Sequence, residues 1–268
     1  MCAPDGASAP PGTVAAMTAG LEEAVSGTAA EVPFYALPPA GLKGGTAPMI
    51  ALWHPLGEAG SPDAMAAALP LHGLPAWRVY LGLPRTGSRA VDVAVGSDLV
   101  LDIYTPMIEQ AAAEFAAART ALQSMLPIDD GPVAVVGSSA GGHTALRVLT
   151  AGEVPVTAAA VINPAVRTES VVAVNESQDF SYTWTEPARQ QAARLDIVAV
   201  AAAVRAPVLL VIGENEYPEF RPDQDALLAA LGGPAKQVTV PGMDHTLVGE
   251  GAAQADRAIT DWMTAHFA

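Results

Sequence analysis

The chain has 268 residues, 51% hydrophobic and only 15% charged, which gives ample apolar material for a core and too little polarity for a disordered chain. Its formal charge of −15 comes from 13 Lys and Arg against 28 Asp and Glu, with lysine only at Lys43 and Lys236. That shortage of bases argues against a nucleic-acid binder, which needs clustered cations for the phosphates.

Residues 1–12 hold Pro, Gly, Ala and Ser with neither a positive nor an apolar stretch. They read as a flexible tail and not as a secretory signal, so the expected location is the cytoplasm. Residues 13–268 are expected to form one domain, because no repeat or composition shift divides them. Strands are predicted at 31–37 and 47–54. Pro62 and Asp63 then open a helix that fades near Gly73, and a strand follows at 77–83. Ile103, Met107, Ala111, Phe115, Leu122 and Met125 fall along one face of a long helix. A strand at 132–137 leads into a helix-compatible run over 142–149, and another strand occupies 156–162.

The stretch from Asn163 to Ala206 is longer than a crossover helix needs. It carries Phe180, Tyr182 and Trp184 among Ser, Asn and Gln, then a helix from about Glu186 and Pro187, and 165–205 is read as a small cap or lid. Beyond it come a strand at 207–213, a helix from Pro222 to Gly232 and Gly233, and a strand at 237–240. Ile259, Trp262, Met263 and Phe267 make the inner stripe of a last helix. Several strands are continuous Val/Ile/Leu runs, as in a mostly parallel sheet covered by helices on both faces. The longest clean apolar stretch, 197–204, is far below the ~18 residues of a membrane span.

The sharpest motif is Gly137-Ser138-Ser139-Ala140-Gly141, set between a predicted strand and a predicted helix. A turn this tight strains its central residue, and glycines two places to either side leave room for it. Ser139 then projects its hydroxyl at a helix N-terminus, where unpaired N–H groups favour a developing negative charge. Downstream, the strand at 207–213 ends in Gly213-Glu214-Asn215-Glu216, and the strand at 237–240 leads to Gly242-Met243-Asp244-His245. Serine, then an acid after a late strand, then a histidine after the last strand is the chain order of one triad-bearing fold.

On these residues the chain resembles the α/β-hydrolase superfamily from about Ala47 onward, and Gly137 to His143 resembles the nucleophile elbows of its esterase, dienelactone-hydrolase-like and prolyl-oligopeptidase-like members. The resemblance implies Ser139 as nucleophile, His245 as general base and later acid, and Glu216 as the carboxylate that orients the imidazole. Glu214, Glu219, Asp223 and Asp244 remain alternative acids, since relatives more often carry Asp at this place. Ala140 N–H is implied as one oxyanion donor. The other is carried over from Trp53-His54-Pro55-Leu56-Gly57 as Leu56 N–H, with Gly57 as competitor because Pro55 stands where relatives have glycine. His54 is read as a loop holder, His143 as a packing or capping residue, His72 and His266 as surface residues, and Ser138 as a shaper of the turn.

Other chemistries fail on residue supply. Cys2 is the single cysteine, and there is no zinc-binding histidine motif, phosphate loop or dinucleotide fingerprint. No metal and no cofactor is expected. The expected activity is hydrolysis of a carboxylic ester of a small acyl compound, with Phe180, Tyr182, Trp184, Tyr217 and Phe220 as candidate pocket walls. The alternatives are a thioesterase or acyltransferase on the same triad, and a ligand-binding protein without turnover on the same fold.

Overall fold

The computed structural model describes residues 23–92 and 94–267, so the tail expected at 1–12 lies outside the described residues. The chain opens with a hairpin of β1 (Val25–Ala29) and β2 (Val32–Leu37). Ala30 and Glu31 both hold positive φ, 46° and 69°, the pairing that a two-residue hairpin turn of the right twist requires. β1 has no counterpart among the predicted strands: Val25-Ser-Gly-Thr-Ala29 is mostly exposed and carries no apolar alternation.

The remaining strands are β3 (Met49–Trp53), β4 (Trp77–Leu81), β5 (Val133–Ser138), β6 (Val156–Ile162), β7 (Val208–Gly213) and β8 (Ala235–Val240). They form one sheet in the order β1-β2-β4-β3-β5-β6-β7-β8, with β1 and β2 antiparallel to their neighbours and all other pairs parallel. Every residue of β3, β4, β5 and β7 is buried, which explains their largely apolar sequences, broken only by Arg78 in β4 and Ser138 at the end of β5. β8 is an edge strand and is largely exposed.

Among the described residues there are seven α-helices: α1 (Pro62–Ala68), α2 (Thr105–Met125), α3 (Ala140–Ala151), α4 (Thr168–Glu176), α5 (Glu186–Arg194), α6 (Arg221–Ala230) and α7 (Gly249–His266). Alternate strand residues feed two cores. Ala51, Trp53, Val133 and Val135 meet Met107, Phe115 and Leu122 of α2 and Leu146 of α3 on one face. Ile50, Leu52, Ala134 and Val136 meet Met65 of α1 and Ile259 and Met263 of α7 on the other. α1 stops at Ala68, earlier than the predicted fade near Gly73, because Pro70 has no N–H to continue it and Leu71 turns to φ 48°.

A π-helical turn, Leu99–Tyr104, leads into α2, with the Asp98 carboxylate accepting from Val100 N–H (2.8 Å) and Leu101 N–H (2.9 Å). The long connection between β6 and β7 carries α4, which the sequence did not announce, and α5, which it did. Both pack on that π-helical turn through a small cluster of Val100, Val172, Ala188 and Ala192, with Tyr182 and Trp184 laid against it. Among the described residues no helix is long and apolar enough to cross a membrane, and no group of three or more His, Cys, Asp or Glu stands ready to hold a metal.

Candidate active site

β5 delivers its last residue, Ser138, into a turn that closes at once into α3. Ser139, between them, sits at φ 52° and ψ −117°, a strained conformation for a non-glycine residue that costs on the order of 1–3 kcal/mol. Three backbone bonds hold it there: Ser139 N–H donates to Ile162 O at 2.9 Å, while His143 N–H (3.0 Å) and Ala165 N–H (3.3 Å) donate to Ser139 O. The flanking glycines are steric requirements. A Cβ on Gly137 would lie 2.0 Å from Gly141 O, and one on Gly141 would lie 2.1 Å from Trp53 O.

His245 reaches this serine from the turn after β8. Its Nε2 lies 2.8 Å from Ser139 Oγ and its Nδ1 lies 2.7 Å from Glu216 Oε1. A carboxylate oxygen only accepts, so Nδ1 carries the ring proton and Nε2 is free to accept from the serine hydroxyl. Glu216 comes from the turn after β7, its side chain is fully buried, and its Oε1 also accepts Tyr217 N–H at 2.7 Å. The structure therefore brings Ser139, His245 and Glu216 together in one hydrogen-bonded line. Three of the four other candidate acids are engaged elsewhere: Glu214 accepts Gly242 N–H, Asp223 pairs with Arg167, and Asp244 caps Thr246, while the fourth, Glu219, has a buried carboxylate oxygen without a hydrogen-bond partner among the described residues. Hydrogen bonds from the Thr246 hydroxyl and N–H hold the Asp244 carboxyl below the usual carboxylate range.

Of the aromatic candidates, Tyr217 and Phe220 flank the His245 ring, with centroids 5.0 Å and 5.2 Å away. Phe180, Tyr182 and Trp184 pair with one another instead, and the Tyr182 hydroxyl donates to Asp98 at 2.7 Å. The Gln178 side-chain amide donates to the Tyr217 hydroxyl at 3.4 Å.

Ala140 is buried in the first turn of α3, beside Ser139. Leu56 is exposed, in a turn whose shape is fixed by the buried His54: Nδ1–H donates to Pro55 O at 2.7 Å and Nε2 accepts Leu83 N–H at 3.1 Å. Burial lowers the pKa of His54, which suits this neutral, two-sided role. Beyond this loop lies a cavity of about 430 Å³, lined by Phe34, Tyr35, His54, Ser61, Thr86 and Arg89 among others, with Ser139 not among its walls. Arg89 there is engaged by Glu114 at 2.5 and 2.6 Å.

Two polar residues that sequence reasoning passed over also shape the site. The Arg221 guanidinium donates to Gly213 O (2.7 Å) and Glu214 O (2.6 Å), pinning the turn that carries Glu216. Asn163 joins that turn to the one carrying His245, donating to Asp244 O and accepting from Gly213 N–H, both at 2.8 Å.

His143 is a support behind the elbow. Its Nε2–H donates to Leu195 O at 2.9 Å, so its Nδ1 accepts from the Tyr104 hydroxyl at 2.9 Å. Burial pushes its pKa down to about 4. The unfolded chain protonates this ring near pH 6.5, so the stability due to the neutral ring is complete above pH 6.5 and is lost as the pH falls toward 4. The loss is roughly 3 kcal/mol at most. Urea unfolding at pH 7 and pH 4.5 is expected to show a shallower pH dependence in His143→Gln than in the wild type, and equal slopes would refute this assignment.

No family model matches the chain, and no curated protein does. Solved structures do. An acetyl xylan esterase from Paenibacillus sp. R4 superposes with a TM-score of 0.68 at 15% identity, covering 91% of this chain and 83% of that one. A puromycin hydrolase gives 0.67 at 20% identity, covering 91% and 39%, and the acylaminoacyl peptidase of Pyrococcus horikoshii 0.65 at 14%, covering 90% and 41%. The chain thus spans about two fifths of the length of the latter two. With a mostly parallel eight-stranded sheet flanked by helices and this overall likeness to the neighbours, the chain has the α/β-hydrolase fold.

Proposed function

We propose that the protein is a cofactor-independent serine hydrolase that cleaves carboxylic esters through an acyl-enzyme. The observation that carries this reading is the imidazole of His245, held between Ser139 Oγ at 2.8 Å and a buried Glu216 carboxylate at 2.7 Å. Ser139 Oγ attacks the ester carbonyl carbon while His245 Nε2 takes its proton, and the Glu216 carboxylate stabilises the imidazolium that results. The N–H of Ala140 and that of Leu56, with Gly57 as its competitor, hold the oxyanion. As the tetrahedral intermediate collapses, the imidazolium protonates the departing alcohol. Water, deprotonated by His245, then attacks the acyl-enzyme, releases the carboxylic acid and restores the Ser139 hydroxyl.

In this reading residues 23–267 act as one domain with 165–205 as a small cap. Tyr217, beside the His245 ring, forms one wall of the substrate site, and Phe180, Tyr182 and Trp184 supply the apolar face of the cap. The choice of ester is tested with a panel of short-chain aryl esters, the matching thioesters and aminoacyl amides, with and without an added alcohol. Ester turnover to the free acid is expected. Preferential cleavage of the amide or thioester, or diversion of product by the alcohol, would replace the substrate or acceptor assigned here.

Glu216→Gln tests the third member. An amide in place of the carboxylate no longer stabilises the imidazolium and disfavours the tautomer with the proton on Nδ1. In a serine protease the corresponding change costs about 10⁴ in kcat, so a loss of ~10²–10⁴-fold with little change in KM is expected. Unaltered kcat in steady-state assays would remove Glu216 from the mechanism.

A further inference from the structure

The end of β6 touches every part of the site. Ile162 O accepts Ser139 N–H at 2.9 Å, and Ala165 N–H donates back to Ser139 O at 3.3 Å. Between them Asn163 is completely buried and holds φ 42°, in the left-handed region that asparagine tolerates better than most residues. Its own N–H donates to Val211 O at 2.9 Å, which fixes its backbone to β7.

From that point its side-chain amide reaches both of the other turns. Oδ1 accepts Gly213 N–H and Nδ2 donates to Asp244 O, each at 2.8 Å. Gly213 begins the turn that ends at Glu216, whose N–H donates back to Gly213 O at 3.2 Å, and Asp244 immediately precedes His245. The two turns are also in direct contact: Asn215 N–H donates to Met243 O at 2.8 Å, and a Cβ on Gly213 would lie 2.5 Å from Met243 O and 2.7 Å from Asp244 O. The Asn163 amide differs from these contacts in its origin, since it is anchored on the strand end that also holds the Ser139 backbone.

We propose that Asn163 is a positioning residue that sets the relative placement of Ser139, Glu216 and His245 by tying the acid turn and the histidine turn to the end of β6. The inference rests on the serine-hydrolase reading above. Its physical basis is that an amide with a donor and an acceptor meets one partner of each kind, a buried N–H and a partly buried carbonyl, so a shift of either turn breaks one of these bonds. A displacement of about 1 Å at a reacting centre costs on the order of 10²-fold in rate.

The test compares wild type, Asn163→Gly and Asn163→Asp by KM, Tm and kcat per competent site, the sites being counted by titration with a fluorophosphonate. Asn163→Gly accommodates φ 42° and loses both side-chain bonds. Asn163→Asp has nearly the same shape, keeps the acceptor for Gly213 and loses the donor to Asp244, so it decides the matter if the glycine variant does not fold. Expected are losses in kcat per titrated site of about 30-fold for glycine and about tenfold for aspartate, with KM within about threefold of wild type. A purely structural role lowers Tm and the number of titratable sites but leaves kcat per titrated site unchanged, and that result overturns the inference. A wild type that takes no label on Ser139 overturns the hydrolase reading and this inference with it, whereas normal wild-type labelling with unchanged variant kcat overturns the inference alone.

Discussion

Ser139→Ala is expected to lower kcat by about 10⁴–10⁶-fold and to remove the mass adduct that a fluorophosphonate leaves on the wild type. The size of the effect follows from the arrangement around the hydroxyl. The backbone at φ 52° has no other evident use than to aim this side chain, and His245 Nε2 at 2.8 Å has no proton to accept once Oγ is gone. His245→Ala is expected to cost nearly as much, because an unassisted serine hydroxyl is a weak nucleophile at neutral pH. The double variant should be hardly worse than either single one, since the residues act as a unit. Initial rates on an aryl ester, with intact-mass analysis of each variant after exposure to the reagent, read out all three. An adduct that persists in Ser139→Ala, or losses that multiply in the double variant, would show that the reacting nucleophile lies elsewhere.

Gly141→Ala is expected to be among the most destabilising single substitutions in the chain, by about 3 kcal/mol or more. The added Cβ falls 2.1 Å from Trp53 O and 2.5 Å from His54 O, both backbone atoms at the end of a fully buried strand. Relief requires either the elbow or β3 to move. Gly142→Ala, one residue on, meets Pro164 Cβ at 3.0 Å, Pro164 Cα at 3.1 Å and Gly137 O at 3.3 Å, contacts that a shift of a few tenths of an ångström relieves, and its cost should be smaller. For a protein of this size each kcal/mol corresponds to about 2–4 °C in Tm, so thermal unfolding separates the two variants readily. A Gly141→Ala protein that melts within about 2 °C of wild type would mean that elbow and β3 are not in contact as described.

What could be read from the sequence was whatever is encoded locally. The elbow was legible because strand, small residues and helix are contiguous, Glu216 because it stands just beyond an apolar strand, and His245 because it follows the last predicted strand. Asn163 and Arg221 were not legible. The partners of the Asn163 amide lie 50 and 81 positions away, and no spacing rule connects a buried amide to backbone atoms so remote. β1 escaped notice because an exposed hairpin strand needs no apolar period, and α4 because its burial depends on the π-helical turn that it meets in space. The aromatics of 180–184 alternate as pocket walls would, yet Tyr182 and Trp184 pack against the cluster of Val100, Val172, Ala188 and Ala192 and Phe180 is exposed.

The separation of Ser139, Glu216 and His245 along the chain has a consequence for biosynthesis. Ser139 and His245 are 106 positions apart, and His245 follows β8, the last strand. During synthesis the elbow strand and its helix emerge first, while the imidazole arrives only after β8 has been made. In the proposed mechanism Ser139 stays an unactivated alcohol until that edge strand docks on β7, so a nascent or truncated chain is expected to carry no hydrolytic activity of its own. On that mechanism the sheet times the chemistry, because reactivity appears only with the final strand and not with Ser139.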